Sequence, residues 1–247
     1  MVMEGRRAPV VRLIRAFRTS HRPVGWSSLT AVRHGEADAA APVGTDPEDG
    51  PRPWPNAHDA ELALTERGRV QAVAVGRRLA GHWNDSATVW VSPYLRARQT
   101  ADLALAELGC PGRAGYVVDE RLRERESGGR ALQVLPEPGQ ATTRTLACFY
   151  DRPPGGEAWT DVILRLRAWL ADLDRLAHGR PVVVFAHHQV ILLLRHILQD
   201  IPDREFLAMI GRGELDVPHG SLSRIDRVGD RMRIAFWGSS EHLPRAH

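Results

Sequence analysis

Two histidines stand where short apolar runs give out. His34 lies in Arg33-His34-Gly35-Glu36, directly after Ser28-Leu29-Thr30-Ala31-Val32, and His187 follows Pro181-Val182-Val183-Val184-Phe185-Ala186. Both runs read as buried strands, β-rich and bounded by turn signals. In an α/β protein the carboxyl ends of such strands face the crevice where ligands bind, because the next helix opens there with unpaired N–H groups. A neutral imidazole at that place is a competent nucleophile toward phosphorus, since a covalent phosphohistidine divides one very slow transfer into two easier ones. That makes His34 a candidate nucleophile. One ring nitrogen must then be free of its proton, with the tautomer held by a carbonyl or carboxylate on the other. The plainer reading is a strand-end histidine that only caps a turn.

The elements that would position such groups are legible around them. Apparent strands cover LTAV before Arg33, TVWV at 88–91, YVV at 116–118, PVVVF at 181–185, SLSRI at 221–225 and RMRIAFW at 231–237, the last two close enough for a hairpin. Helices are expected at about 65–81, 94–108, 158–178 and 188–200 from patterning. In the third, Trp159, Val162, Ile163, Leu166, Trp169, Leu170, Leu173 and Leu176 recur at steps of three and four, an apolar stripe that would cover a sheet. Alternating strands and helices imply a mostly parallel sheet with crossovers. Residues 39–59, rich in Pro, Gly and Asp, read as a long irregular loop of the kind that forms functional rims.

Composition bounds the rest. A chain of 247 residues, 43% hydrophobic and 26% charged, suits one large soluble enzyme domain, here residues 27–247. No apolar run nears the roughly 20 residues that cross a bilayer, so no membrane span is expected. All 33 basic residues are arginine, yet the formal net charge is only +3. The arginine content reads first as composition, and no nucleic-acid partner is expected. Cys110 and Cys148 lack a CxxC spacing, which argues against zinc or a redox pair and for a reducing, cytoplasmic location. Residues 1–26 form a basic extension, with Arg6, Arg7, Arg12, Arg15, Arg18 and Arg22 among apolar residues. Arg12 and Arg15 interrupt the apolar stretch a secretory signal needs. A disordered tail is preferred there over an amphipathic helix for an acidic surface.

Taken in order, Arg33-His34-Gly35-Glu36, then Leu64-Thr65-Glu66-Arg67-Gly68 with Gln71-Ala72, then Ser92-Pro93 and Arg96-Ala97 before Gln99-Thr100, and the second strand-end histidine resemble the histidine phosphatase superfamily, also called phosphoglycerate mutase-like. The resemblance spans about residues 28 to 237. It implies a three-layer α/β/α sandwich on a mostly parallel sheet, and an enzyme that takes phosphate from small-molecule esters through a phosphohistidine without a cofactor. Arg33 and Arg96 match the two clamp arginines of the family, whose guanidinium groups suit forked contact with phosphate oxygens. His187 matches the histidine that contacts the transferring group. Leu122-Arg123-Glu124-Arg125 resembles the segment that supplies the proton to the leaving oxygen. This places the donor at Glu124, with Glu126 two residues away as the alternative. Glu157, after Gly155-Gly156, reads as structural.

The chain also departs from the pattern. Relatives carry Ser or Thr and then Asn where this sequence has Ala37 and Ala40, so a phosphate donor is missing; Asn56, His58 or Gln189 could replace it. His187 and His188 as metal ligands with His34, Asp38 or His58 find no third ligand at a local spacing, and no metal is expected. Cofactor-dependent mutases of the family insert a long segment after the donor, whereas only about 30 residues separate Glu124 from Gly155 here. The resemblance therefore implies a metal-independent phosphatase rather than a mutase, with a non-catalytic anion-binding module as the third class.

Overall fold

The computed structural model describes residues 25–37, 57–109, 115–128, 146 and 149–244. The basic extension up to residue 24, most of the loop at 39–59 with Ala40 and Asn56, and both cysteines lie outside the described residues, as does the side chain of His58.

Six strands form one sheet: β1 (Ser28–Arg33), β2 (Thr88–Val91), β3 (Tyr116–Val118), β4 (Val182–Ala186), β5 (Leu222–Val228) and β6 (Arg231–Ser239). Their order is β3-β2-β4-β1-β5-β6. The pairs β3–β2, β2–β4 and β4–β1 are parallel, while β1–β5 and the β5–β6 hairpin are antiparallel. All six apolar runs become strands. The longer helices are α2 (Glu66–Ala80), α3 (Leu95–Glu107), α4 (Trp159–Leu176) and α5 (His188–Gln199), within two residues of expectation. A five-residue α1 (Ala57–Glu61) and a nine-residue α6 (Asp203–Gly211) are additions that the apolar period did not signal.

The strand period of two splits the core. Val182, Val184 and Ala186 of β4 join Val162, Leu166, Trp169 and Leu173 of α4 and the apolar face of α5. Val183 and Phe185 point the other way, to Val75 and Leu79 of α2 and Ala97, Ala101 and Ala104 of α3. The result is a three-layer sandwich with both sheet faces covered, as parallel strands require. The α4 stripe ends at Leu173: Leu176, expected on the buried face, is 52% exposed on the helix's last turn. No described helix is long and apolar enough to cross a membrane.

Register sets the site. In the β1–β4 pair Arg33 faces Ala186, and the His34 N–H donates to the Ala186 carbonyl at 3.0 Å. The Ser92 N–H, one residue past β2, donates to the Phe185 carbonyl at 2.9 Å. His34, Ser92 and His187 are therefore the first residues beyond three adjacent parallel strands. The turn after β1 is held from below by helices: Gly35 N–H donates to Thr100 Oγ1 (3.0 Å), Glu36 N–H to Gln71 Oε1 (2.7 Å), and Thr65 N–H to the Glu36 carbonyl (3.0 Å). Thr65 also caps α2 by accepting from Gly68 N–H.

That turn and the first turn of α2 touch backbone to backbone. A Cβ on Gly68 would lie closer to the Glu36 carbonyl oxygen than any real Cβ comes, and its neighbour there is backbone, which cannot swing away. Gly68→Ala is expected to destabilise by about 1–3 kcal/mol, a fall in Tm of several degrees at about 2–4 °C per kcal/mol. Gly81→Ala, where the nearest atom is 3.7 Å off and φ is −68°, is the control and should leave Tm unchanged or slightly raised. Equal thermal melts for the two variants would refute the close contact.

Candidate active site

His34 is 6% exposed and its ring is fixed from both nitrogens. Nδ1 lies 2.7 Å from the carbonyl oxygen of Gly35, which can only accept, so the hydrogen sits on Nδ1. Nε2 receives the Nε–H of Arg96 at 3.2 Å and is therefore bare. Burial, reinforced by the Arg96 charge, holds the imidazole well below the usual histidine range. The ring is neutral, with a lone pair on Nε2 directed at a guanidinium.

Arg96 enters from the first turn of α3 and is itself buried. Its two Nη groups reach Asp59 of α1, Nη2 to the carboxylate at 3.2 Å and Nη1 to the carbonyl, while its guanidinium carbon stands 5.0 Å from the Tyr94 ring centre. Arg33, the last residue of β1, donates from Nη1 to the Val217 carbonyl (2.6 Å) and from Nη2 to His219 Nε2 (2.8 Å). Its Nε is buried with no partner among the described residues.

His187 is fully buried at the N-cap of α5. Its Nε2 lies 2.7 Å from Ser92 Oγ, which also accepts the Tyr94 N–H. Ser92 Oγ can give its hydroxyl hydrogen to Nε2 or accept one from it, and His187 Nδ1 is a buried atom without a partner among the described residues. The His187 ring centre is 5.1 Å from that of His34. Burial first, then the neighbouring His34 and Arg96, keep it neutral as well.

The two candidate carboxylates have different surroundings. Glu124 accepts the Arg125 N–H at 2.9 Å and an N–H from Gln189 in the first turn of α5, and it lies in the fields of Arg96 and Arg33. Burial outweighs those attractions and pushes its carboxyl above the usual range. Glu126 instead takes the Tyr94 hydroxyl proton at 2.8 Å. The segment bearing both is pinned by Glu157, which accepts from Arg123 Nη2 (2.7 Å), Arg165 Nε (3.0 Å) and the Glu126 N–H (3.1 Å).

The five residues singled out in the sequence, Arg33, His34, Arg96, Glu124 and His187, thus come together at one end of the sheet. Ala37 pairs with Leu64 in an isolated bridge. Gln189 has its Oε1 engaged by the Trp159 indole N–H at 2.9 Å. Among the described residues no group of three or more His, Cys, Asp or Glu is placed to hold a metal ion. Two participants carried no signal of their own in the sequence, Asp59 on Arg96 and His219 on Arg33, while Ser92 stood in the motif order without its contact to His187 being foreseen.

The chain belongs to the histidine phosphatase superfamily, whose branch 1 model matches residues 29–240. It is 32% identical over 145 residues to the 2,3-bisphosphoglycerate-dependent phosphoglycerate mutase of Methylobacterium sp. (strain 4-46), covering 56% of this chain and 69% of that one. The mutase of the same name from Mycobacterium leprae (strain Br4923) is 27% identical over 253 residues, 86% of this chain and 91% of its own. The solved structure of a mycobacterial glucosyl-3-phosphoglycerate phosphatase in complex with inorganic phosphate matches with a TM-score of 0.63 at 26% identity, covering 88% of this chain and 100% of that one.

The His34 geometry is directly measurable. Its side-chain ¹⁵N shifts should report a neutral ring with the hydrogen on Nδ1, unchanged from neutral pH down to about pH 5, below the ordinary histidine midpoint. Titration of His34 near its ordinary value would refute the buried, arginine-faced imidazole.

Proposed function

We propose that the protein is a phosphomonoesterase that hydrolyses a small-molecule phosphate ester through a phosphohistidine on His34. The observation that carries this reading is the bare Nε2 of a neutral, tautomer-fixed His34 facing Arg96. A phosphoryl group entering the site takes the Arg96 Nε–H for one of its oxygens, which uncovers the lone pair. The unpartnered Nε–H of Arg33, and His187 Nδ1 when Ser92 donates to Nε2, supply further donors where an anion would satisfy them.

In the first transfer His34 Nε2 forms the bond to phosphorus and the bond to the ester oxygen breaks. Glu124, whose carboxyl is raised by burial, gives its proton to that oxygen, so an alcohol leaves. In the second, the Glu124 carboxylate takes a proton from water and the water oxygen attacks phosphorus. The P–N bond then breaks, inorganic phosphate is released and His34 is neutral again. Arg33, Arg96 and His187 hold the three equatorial oxygens throughout.

Hydrolysis is supported by the short connection from Glu124 to Gly155, and by likeness to the glucosyl-3-phosphoglycerate phosphatase along its whole length. The second reading, return of the phosphoryl group to another hydroxyl, is favoured by the named mutases among the relatives. That route needs water kept out while the phosphohistidine waits. Release of inorganic phosphate from a panel of phosphomonoesters, with acid-labile labelling of His34 and loss of both in His34→Ala, is the expected result. Transfer between positions of phosphoglycerate with little net release would establish the mutase instead, and full turnover by His34→Ala would remove the covalent step.

The acid and the clamp separate by leaving group. Glu124→Gln should cost about 10²–10⁴-fold with alkyl phosphates, and far less with an aryl ester whose phenolate leaves unaided. Because the Glu124 carboxyl is raised, the protonated donor is present at low pH and lost as pH climbs through its value. Alkyl ester turnover should therefore fall toward alkaline pH in the native enzyme, and that limb should be absent in Glu124→Gln. Equal losses for both esters in Glu124→Gln, with a leaving-group-dependent loss in Glu126→Gln, would move the proton to Glu126.

A further inference from the structure

We propose that His219 is a phosphoryl-binding residue of this site, donating from Nδ1 to an oxygen of the group transferred at His34. This inference rests on the reading of the site as a phosphoryl-transfer centre and adds a residue to it. Neither the sequence motifs nor the strand ends point to His219, which sits in the loop between α6 and β5.

Backbone bonds tie that loop to the nucleophile. The Gly220 N–H donates to the carbonyls of both Arg33 (3.2 Å) and His34 (3.1 Å), so residue 219 is held one step from the turn that carries His34. Gly220 adopts φ +72°, the left-handed region where glycine is at ease. The His219 ring centre stands 5.3 Å from that of His34, about as near as the ring of His187 at 5.1 Å.

The tautomer of His219 follows from its partner. Arg33 Nη2 is donor-only and lies 2.8 Å from His219 Nε2, so Nε2 must be the acceptor. Burial, then the charge of Arg33 and the neighbouring His188, Arg96 and Arg67, push the imidazole down to about 4. A neutral ring with Nε2 bare carries its hydrogen on Nδ1, and among the described residues nothing accepts that hydrogen. The ring thus grips a clamp arginine with one nitrogen and keeps a donor on the other, beside the nucleophile. Such an uncharged donor adds a hydrogen bond to a phosphoryl oxygen without adding a third positive charge beside Arg33 and Arg96.

The test separates donation from mere support of Arg33. Binding of inorganic phosphate is measured calorimetrically with no turnover, so it is independent of whether the enzyme hydrolyses or transfers, which the phosphate-release assay decides. His219→Ala should weaken phosphate binding by about ten- to hundredfold, the worth of one hydrogen bond to a charged group. His219→Gln, whose amide offers a carbonyl to Arg33 and an N–H to phosphate, should restore it to within about threefold. In an Arg33→Ala background, His219→Ala should cost about tenfold more, because a direct contact survives loss of the arginine. Unchanged phosphate affinity in His219→Ala would overturn the proposal. So would failure of the Gln variant to recover binding, or the absence of any further loss in the Arg33→Ala background. Thermal melts and the ¹⁵N signature of His34 in each variant show that the fold and the nucleophile are intact.

Discussion

The hydrogen bond from the His34 N–H to the Ala186 carbonyl is the contact on which the site depends, because it continues the parallel ladder between β1 and β4 one residue past the strands. A shift of one residue in that register would exchange the faces of β4, sending Val182 and Val184 toward α2 and α3 and Val183 and Phe185 toward α4. The packing of two separate apolar clusters on the two faces therefore fixes the register, and the register fixes the separation of His34 from His187. Chemistry at the end of the sheet is in this sense an output of core packing beneath it.

The electrostatic design follows from the same burial. Four imidazoles, His34, His187, His188 and His219, surround two guanidiniums, and every one of them is held below the ordinary histidine range. Desolvation alone disfavours a charged imidazole, and each guanidinium disfavours it further. The arginines in turn find acceptors in bare imidazole nitrogens and in the Val217 and Asp59 carbonyls. Of these six groups only Arg33 and Arg96 carry positive charge, and the imidazoles stand among them as neutral acceptors and donors. A protonated histidine here would lose its lone pair and repel the arginine that now donates to it.

Much of this was legible in the sequence, for reasons that differ by element. The six strands are short runs of three to seven residues rich in β-formers, and α4 announces itself by eight apolar residues at helical spacing. Leu176 breaks that expectation because the helix runs past the edge of the surface it covers. α1 is too short for a period to show, and α6 buries only Phe206 and Leu207. At the site, motif order brought Arg33, His34, Arg96, Glu124 and His187 to attention, while Asp59 and His219 escaped it. Their contacts join residues 37 and 186 positions apart and sit in short or irregular segments, where local pattern carries no information. The resemblance set Glu124 before Glu126 in an aperiodic segment where local pattern does not separate them, and the fold turns Glu124 to the arginines and Glu126 to Tyr94.

The carboxylate segment is held in a different way from the histidines, and this bears on how the site can vary. His34 and His187 hang from the sheet, but residues 121–128 are laced to the amino end of α4 by Glu157, whose carboxylate gathers Arg123, Arg165 and the Glu126 N–H. Arg165 also donates to the carbonyls of Arg121 and Glu124, extending the knot to the donor segment itself. These ion pairs are largely withdrawn from solvent, with side-chain exposures of 13% for Glu157 and 10% for Arg165, so removing one partner strands a buried charge. Arg33 and His34 are thus placed by β1 and its continuation, while Arg96 enters from the first turn of α3 and His187 caps α5. Glu124 instead rests on a side-chain network in an irregular segment, a kind of backbone that varies more readily than the strands of the sheet.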